Sequence, residues 1–476
     1  MTGVVHSILE ATEDAVAREL SRVPPGAAWV EIRADHLRAG SCASLVARSP
    51  LPAIVTVRTV GDGGGFDGSA GEKRRILEDA LSAGAVLVDV EAGGPLADLA
   101  EGPLASRTIL SLHGGACEPV ALARAHDRLS RSRAARLKLV PEAHRAADGA
   151  ALRDLLRGSG GRLAAFASGR PGAVSRILAL SWGSWGTYGA TARGRESAPG
   201  QLTTRELLDV YRAPAVGERT RRFALVGTPV LESPSPAMHA AGYAALGLDA
   251  VTLPVETDDL DDAAALALDG LAVTIPLKGA AARRCAEVSA DAGWVAVNTV
   301  RIQDGIWTGH NTDVAAARDL LRPLSIGAGA TVAVVGAGDS ARSLGGMLAL
   351  EGAEVTLFAR DEARGRATAS AIGAQVVSLD ALPGARWDLL VQATPLGRRG
   401  ERLVPPDALT GRAVLDLAYG PEPTPLVVDA RARGLIVVDG RTFLLEQALR
   451  QFAWLTGLQP PRADLSAALD AFFAAA

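Results

Sequence analysis

The chain has 476 residues, 48% of them hydrophobic, 21% charged and 4% aromatic, which implies two or three domains and excludes a disordered or collagen-like chain. A formal net charge of −4 gives no general attraction to nucleic-acid phosphates or anionic membranes, so neither is an expected partner. Few aromatics among many Ala, Leu, Val and Gly favour α/β layering over an aromatic-rich sandwich.

Cys42, Cys117 and Cys285 lie far apart, without the paired spacing of a disulfide framework or a metal site, so no metal is expected. No window approaches the roughly 18 to 20 apolar residues that span a bilayer. The start, MTGVVHSILEATED, has acids where a signal peptide keeps its apolar run. A cytoplasmic protein is the expectation.

From Val4 to about Tyr211, eight short β-branched runs alternate with amphipathic stretches. The runs are VVHSI, AWVEIRAD, AIVTVRT, AVLVDVEA, RTILSLHGG, ARLKLVPEA, RLAAFASG and WGTYGA, and helical spacing marks 12–22, 72–83, 119–131 and 146–157. Eight such units predict a (β/α)8 barrel over 1–211, with functional residues at the strand C-terminal ends. Residues 212–222, RAPAVGERTRR, read as a linker. A second module starts at Phe223. Inside it TVAVVGAGDS, 331–340, is a strand running into glycines and then a helical pattern, the entry to a Rossmann-type unit. The C-terminal part thus reads as two α/β lobes: 223–325, completed by terminal helices in 441–476, and 326–440.

Only three of the 49 basic residues are lysine: Lys73, Lys138 and Lys278. Arginine stays protonated, whereas lysine can lose its proton and act as a nucleophile or proton shuttle, so each lysine is a candidate site. Lys73, inside the charged run GEKRR, reads as an exposed surface residue. Lys138 lies in the sixth predicted strand and His113 ends the fifth, so barrel geometry brings both to one mouth. A lysine in a mostly apolar barrel is desolvated and suited to Schiff-base formation, with an imidazole moving protons beside it. Glu31, Arg33 and Asp35 alternate along the second strand, Arg58 ends the third, and Arg176, Ser197 and Gln201 follow the seventh and eighth. Several arginines at one mouth suit a carboxylate ligand.

The series EIRAD, VTVRT, SLHGG, RLKLV, GAVSRI and SAPGQ resembles type I 3-dehydroquinate dehydratase over about 200 residues. The resemblance implies that Lys138 forms an imine with the substrate ketone and that His113 is the acid and base. Glu31, Arg33, Arg58, Arg176, Ser197 and Gln201 would hold the polyol and its carboxylate. Asp62 stands where that family usually has Glu.

In the second module, Gly336, Ala337 and Gly338 open a G-x-G-x-x-A turn suited to a dinucleotide pyrophosphate. Arg360 and Arg364 follow the next strand where an NAD site would keep an acid, so NADP (as NADPH) is the expected cofactor; Asp361 would repel its phosphate unless turned away. Ser233 and Ser235 lie in a Pro-stiffened loop, Thr274 and Lys278 follow an apolar strand, and Asn298, Asn311 and Asp313 come next. Together they suit a polyhydroxy substrate and carbonyl reduction.

This half is similar to shikimate dehydrogenase through S-P-S, V-T-I-P-L-K, V-N-T and N-T-D over about 250 residues. The resemblance implies Lys278 and Asp313 as the catalytic pair, and Ser233, Ser235, Thr274, Asn298, Tyr419 and Gln447 around the substrate. Thr394 would lie near the nicotinamide. Glu232 replaces a frequent His, and Ala240 and Ala272 replace usual Asn residues.

Both halves thus resemble enzymes of the shikimate pathway, leading to chorismate and the aromatic amino acids. The resemblance implies small-molecule substrates: 3-dehydroquinate, dehydrated to 3-dehydroshikimate, which is then reduced to shikimate. Two alternatives are that one module is inactive, or that the second is a quinate- or aminoshikimate-type dehydrogenase. A homodimer is compatible with the sequence and not required by it.

Overall fold

The computed structural model describes residues 1–37, 42–289 and 296–475. Its contacts divide the chain into two compact units, Met1–Arg221 with Asp249–Ala267, and Arg222–Leu248 with Leu268–Ala476.

The first unit is built on eight strands: β1 (Gly3–Ile8), β2 (Ala27–Arg33), β3 (Ala53–Thr56), β4 (Leu87–Glu91), β5 (Thr108–Ala116), β6 (Arg136–Glu142), β7 (Leu163–Ala165) and β8 (Gly186–Ala190). They are hydrogen-bonded in the order β7-β6-β5-β4-β3-β2-β1-β8, with parallel ladders, as a near-closed barrel. All eight predicted runs become strands. Parallel neighbours need a crossover each, and the amphipathic stretches between the runs supply most of them as helices.

Local chemistry starts these helices. Thr12 caps Glu13–Leu20 by accepting from the Ala15 N–H, and Ser69 and Glu72 form a reciprocal capping box at Ala70–Ser82. The second helix corrects one expectation. Lys73 is only 3% exposed, because it shares the inward face of that helix with Leu77, Ala80 and Leu81. Its methylene stem adds to an apolar stripe that the charged run GEKRR disguises.

Residues two apart on a strand share a face, so the inward side chains form storeys. Val5, Trp29, Ile54, Leu87 and Ile109 pack into one apolar cluster with Trp185. The next positions along these strands are Ser7, Glu31, Thr56, Asp89 and Ser111, all buried and all polar. A polar storey above an apolar floor is what positions the first site.

In the stretch read as a linker, Ala213 and Val216 are buried and strand β9 (Arg221–Gly227) begins. Strand β10 (Ala250–Glu256) belongs to the segment that groups with the first unit. The second unit continues with β11 (Gly270–Val273), β12 (Glu287–Val288), β13 (Thr299–Gln303) and β14 (Ile306–His310). β9 and β11 pair parallel, whereas β11, β13 and β14 run antiparallel in succession.

A further parallel sheet comprises β15 (Thr331–Val335), β16 (Glu354–Ala359), β17 (Gln375–Ser378), β18 (Leu389–Gln392), β19 (Ala413–Asp416) and β20 (Ile436–Val438). Its order is β17-β16-β15-β18-β19-β20, the doubly wound arrangement of a Rossmann-type fold. Strand order reverses between β15 and β18, and such a switch point opens a crevice at the strand C-termini. Among the described residues no helix is long and apolar enough to cross a membrane.

Candidate active sites

Lys138 is 4% exposed inside the barrel, and its Nζ donates to Asp89 Oδ2 at 2.9 Å. Glu31 Oε1 lies 4.0 Å from the same nitrogen, and the Tyr188 ring centroid lies 4.4 Å from it. The surroundings are therefore not apolar, as the sequence suggested; the strand alternation that turns Lys138 inward turns acids inward too. Glu31 is held by Thr56 Oγ1, donating at 2.7 Å, and by Ser7 Oγ.

His113 stands one inward position beyond Ser111 on β5. Its Nδ1 is 3.1 Å from Glu91 Oε1, and Arg58 Nε reaches that same oxygen at 3.1 Å. Burial lowers the His113 pKa; Arg58 and Lys138 lower it further, and Glu91 opposes them. Burial by itself would raise the Asp89 pKa, but Lys138, Arg58 and His113 hold it well below the ordinary carboxylate range. Asp89 thus keeps its negative charge. Neither Asp89 nor Glu91 was singled out from the sequence; the available signal was the D-x-E alternation in AVLVDVEA, two acids on one face of a strand due to be buried on both faces.

Arg33 binds Asp35 through two hydrogen bonds of 3.0 and 2.8 Å. Asp35 does not continue the strand face as predicted: β2 ends at Arg33, and Asp35 folds back from a short 3-10 turn, held by the Gly65 N–H at 3.0 Å. Arg58 likewise lies two residues past the end of β3. Arg176 sits on the helix Ala173–Leu178, 2% exposed, with its guanidinium 4.7 Å from the Phe166 ring centroid. Burial pushes its pKa down to about 10, and among the described residues its Nε has no hydrogen-bond partner. A buried cation with a spare donor is a receptor for an anion. Gln201 accepts from the Ser197 N–H at 2.6 Å and from Ser197 Oγ at 2.9 Å, tying these two loop residues together. Asp62 accepts from Thr59 Oγ1 in an exposed turn.

Glu91 favours the imidazolium form of His113, so its removal shifts the balance toward free imidazole. In Glu91→Gln, the His113 imidazole should therefore titrate at lower pH than in the parent. NMR titration of the His113 ring in the two proteins checks this. An unmoved midpoint would mean that Glu91 does not act on His113.

In the second unit, a cleft of about 590 Å³ is lined by Ser233, Ser235, Thr274, Lys278, Asn298, Asp313, Tyr419 and Gln447, and also by Gly338, Arg364 and Thr394. Lys278 begins the helix Lys278–Arg284, and its Nζ donates to Asp313 Oδ2 at 2.6 Å. Asp313 is in the first turn of Thr312–Leu321, capped by Asn311, whose Oδ1 accepts from the Asp313 and Val314 N–H groups. Asn298 is 3% exposed and already committed. Its Nδ2 donates to Thr312 Oγ1 at 2.9 Å, and its Oδ1 accepts from the Thr312 N–H at 2.8 Å. Gln451, which was not anticipated, also lines the cleft and donates to the Asn298 carbonyl at 3.2 Å.

The glycine turn suits a dinucleotide. Gly336 has φ +117, and a Cβ there would meet Thr394 Cγ2 at 3.0 Å, so glycine is required by both backbone and space. At Gly338, the N-cap of Asp339–Leu350, the nearest atom to an added Cβ is Arg364 Nη2 at 3.7 Å, leaving the cleft side open to a ligand phosphate. The carboxylate of Asp361 does turn away: it caps its own helix by accepting from the Arg364 N–H. Arg364 lines the cleft, whereas Arg360 is exposed and outside its lining.

The loop carrying Tyr419 is anchored by Asp416, which is fully buried. It accepts from the Ala418 N–H at 2.9 Å and from Thr424 Oγ1 at 2.5 Å. Burial pushes its pKa up to about 6, against these hydrogen bonds. A raised folded-state pKa means stability that is full below the ordinary value and lost as pH rises through about 6, on the order of 3 kcal/mol in all. Asp416→Asn should therefore raise Tm relative to the parent by several degrees at about pH 8 and by much less at about pH 4. Thermal melts at both pH values test the difference.

Each unit thus sets a scarce lysine against a carboxylate, buried among polar side chains in the barrel and lining a cleft in the second unit, an arrangement suited to an α/β enzyme that moves protons. Residues 4–218 match the family model for type I 3-dehydroquinase, and 225–300 match that for the shikimate dehydrogenase substrate binding domain. The chain is 31% identical over 475 residues to the bifunctional 3-dehydroquinate dehydratase/shikimate dehydrogenase of Arabidopsis thaliana chloroplasts, covering 92% of this chain and 79% of that one. It is 39% identical over 261 residues to shikimate dehydrogenase (NADP(+)) of Halobacterium salinarum, covering 52% and 98%. Shikimate 5-dehydrogenase of Thermus thermophilus, solved with NADP(H) and shikimate, is 32% identical, with a TM-score of 0.47 over 53% of this chain and 99% of that one. The chain belongs to the family of bifunctional type I 3-dehydroquinate dehydratase/shikimate dehydrogenases.

Proposed function

We propose that the first unit dehydrates 3-dehydroquinate to 3-dehydroshikimate and that the second reduces 3-dehydroshikimate to shikimate with NADPH. The observation that carries this reading is that two of the chain's three lysines lie in polar sites holding the groups that each step needs.

In the barrel, Lys138 condenses with the ring ketone to give an iminium and water. The iminium acidifies the neighbouring C–H, and His113 takes that proton and then returns one to the departing hydroxyl. Arg176 faces the substrate carboxylate, and Arg33, Arg58, Ser197 and Gln201 hold the carboxylate and hydroxyls beside it.

In the cleft, Gly336, Ala337, Gly338 and Thr394 cradle the dinucleotide, and Arg364 attends the 2′-phosphate. When bound, NADPH supplies the hydride. Lys278 gives a proton to the carbonyl oxygen as it becomes an alkoxide, and Asp313 holds Lys278 in place. Ser233, Ser235, Thr274 and Tyr419 orient the ring, with Asn298 and Gln447 bracing the Asp313 helix beneath it.

Supplying 3-dehydroquinate and NADPH together tests both steps: the nicotinamide absorbance falls and shikimate accumulates if dehydration feeds reduction, whereas quinate as product would mean direct reduction of 3-dehydroquinate. No fall with 3-dehydroquinate, alongside a fall with 3-dehydroshikimate, would leave the barrel inactive. Faster turnover of quinate than of shikimate, or of NADH than of NADPH, would overturn the substrate and cofactor assignments.

A further inference from the structure

We infer that Asp89 is the fixed counter-ion of the nitrogen on Lys138 throughout the dehydration. This rests on the imine reading of the barrel and adds a catalytic residue to it. Three observations single out Asp89. Among the described residues it is the carboxylate nearest Nζ, at 2.9 Å against 4.0 Å for Glu31. Both oxygens of Glu31 already accept hydroxyl hydrogen bonds, from Thr56 and Ser7, so that acid is committed elsewhere. Asp89 and Lys138 are 2% and 4% exposed, so water does not screen the pair.

The charge balance favours a permanent anion at this position. An ammonium plus a ketone gives a protonated iminium plus water: the C=O bond is replaced by C=N, two of the three nitrogen protons leave in the water, and the nitrogen stays cationic. No net proton enters or leaves. A buried anion beside Nζ is therefore matched before and after condensation. When the ring C–H proton passes to His113, the positive charge moves to the imidazole, which still lies in the field of Asp89. The nitrogen becomes cationic again when the hydroxyl departs as water with the proton from His113. The Tyr188 ring, 4.4 Å from Nζ, offers its face to the same cation.

The test uses the full chain with 3-dehydroquinate, borohydride and intact-mass detection. The parent should give a reduced adduct at Lys138 over a broad pH range. D89N should lose about a hundredfold in dehydratase kcat, with KM changed less than about threefold, because Asp89 touches the nitrogen and not the ring. Without its counter-ion the iminium deprotonates more readily, so trapping in D89N should fail at lower pH than in the parent. D89E, which restores the charge, should recover most of the adduct. A D89N protein with parental kcat and an unshifted trapping profile would overturn the proposal. So would a D89E protein that traps no better than D89N, since that outcome marks a packing role. Absence of any adduct at Lys138 in the parent would instead remove the imine reading itself. Turnover of 3-dehydroshikimate by the same samples reports folding of the second unit, and thermal melts report that of the barrel.

Discussion

Lys138→Met should abolish NADPH oxidation driven by 3-dehydroquinate and leave that driven by 3-dehydroshikimate unchanged. Methionine has nearly the volume of lysine but neither nucleophile nor charge, so no imine can form and dehydration should fall by about four orders of magnitude or more. The same change leaves Asp89 as an unpaired buried anion, held in the charged form by Arg58 and His113. Breaking a buried pair from one side typically costs about 3–5 kcal/mol, so the variant should also melt earlier. Adding Asp89→Asn removes the stranded charge and should restore much of the lost Tm without restoring activity. A double mutant no more stable than Lys138→Met would show that the pair is not the source of the loss.

Lys278→Met should produce the mirror image: dehydration of 3-dehydroquinate proceeds and accumulates 3-dehydroshikimate, while reduction slows by about two to four orders of magnitude. The 2.6 Å contact with Asp313 places the ammonium at the cleft wall, where it is half-buried and open to a ligand. Asp313→Asn should fall less far, because the amide still holds Nζ by a hydrogen bond and the Asn311 cap still starts the helix. The loss should appear in kcat, with NADPH binding within about twofold of the parent. Steady-state kinetics with 3-dehydroshikimate, beside fluorescence titration of NADPH, separate the two quantities. A Lys278→Met protein with parental kcat would refute the assignment of Lys278 as proton donor.

The sequence by itself determined the features written in short range. Period-two runs became the eight barrel strands, the glycine turn sits at the end of β15, and Lys138 and Lys278 each lie against a carboxylate. These follow from strand alternation and from backbone freedom at Gly336, which neighbours in the chain decide. Only the tertiary structure decided which charges meet. Asp89 and Glu91 look unremarkable until sheet closure brings β4 beside β5 and β5 beside β6, setting one acid against Lys138 and the other against His113 and Arg58. Asp35 joins Arg33 through a turn rather than along a strand, and Lys73 lies under a charged run because the inward face of its helix needs covering. The division between Arg364 in the cleft and Arg360 outside it depends on where β16 ends and how Asp361 caps the next helix. A single chain displays its periodicities openly, whereas pairing between groups dozens of residues apart exists only once the sheet order is set.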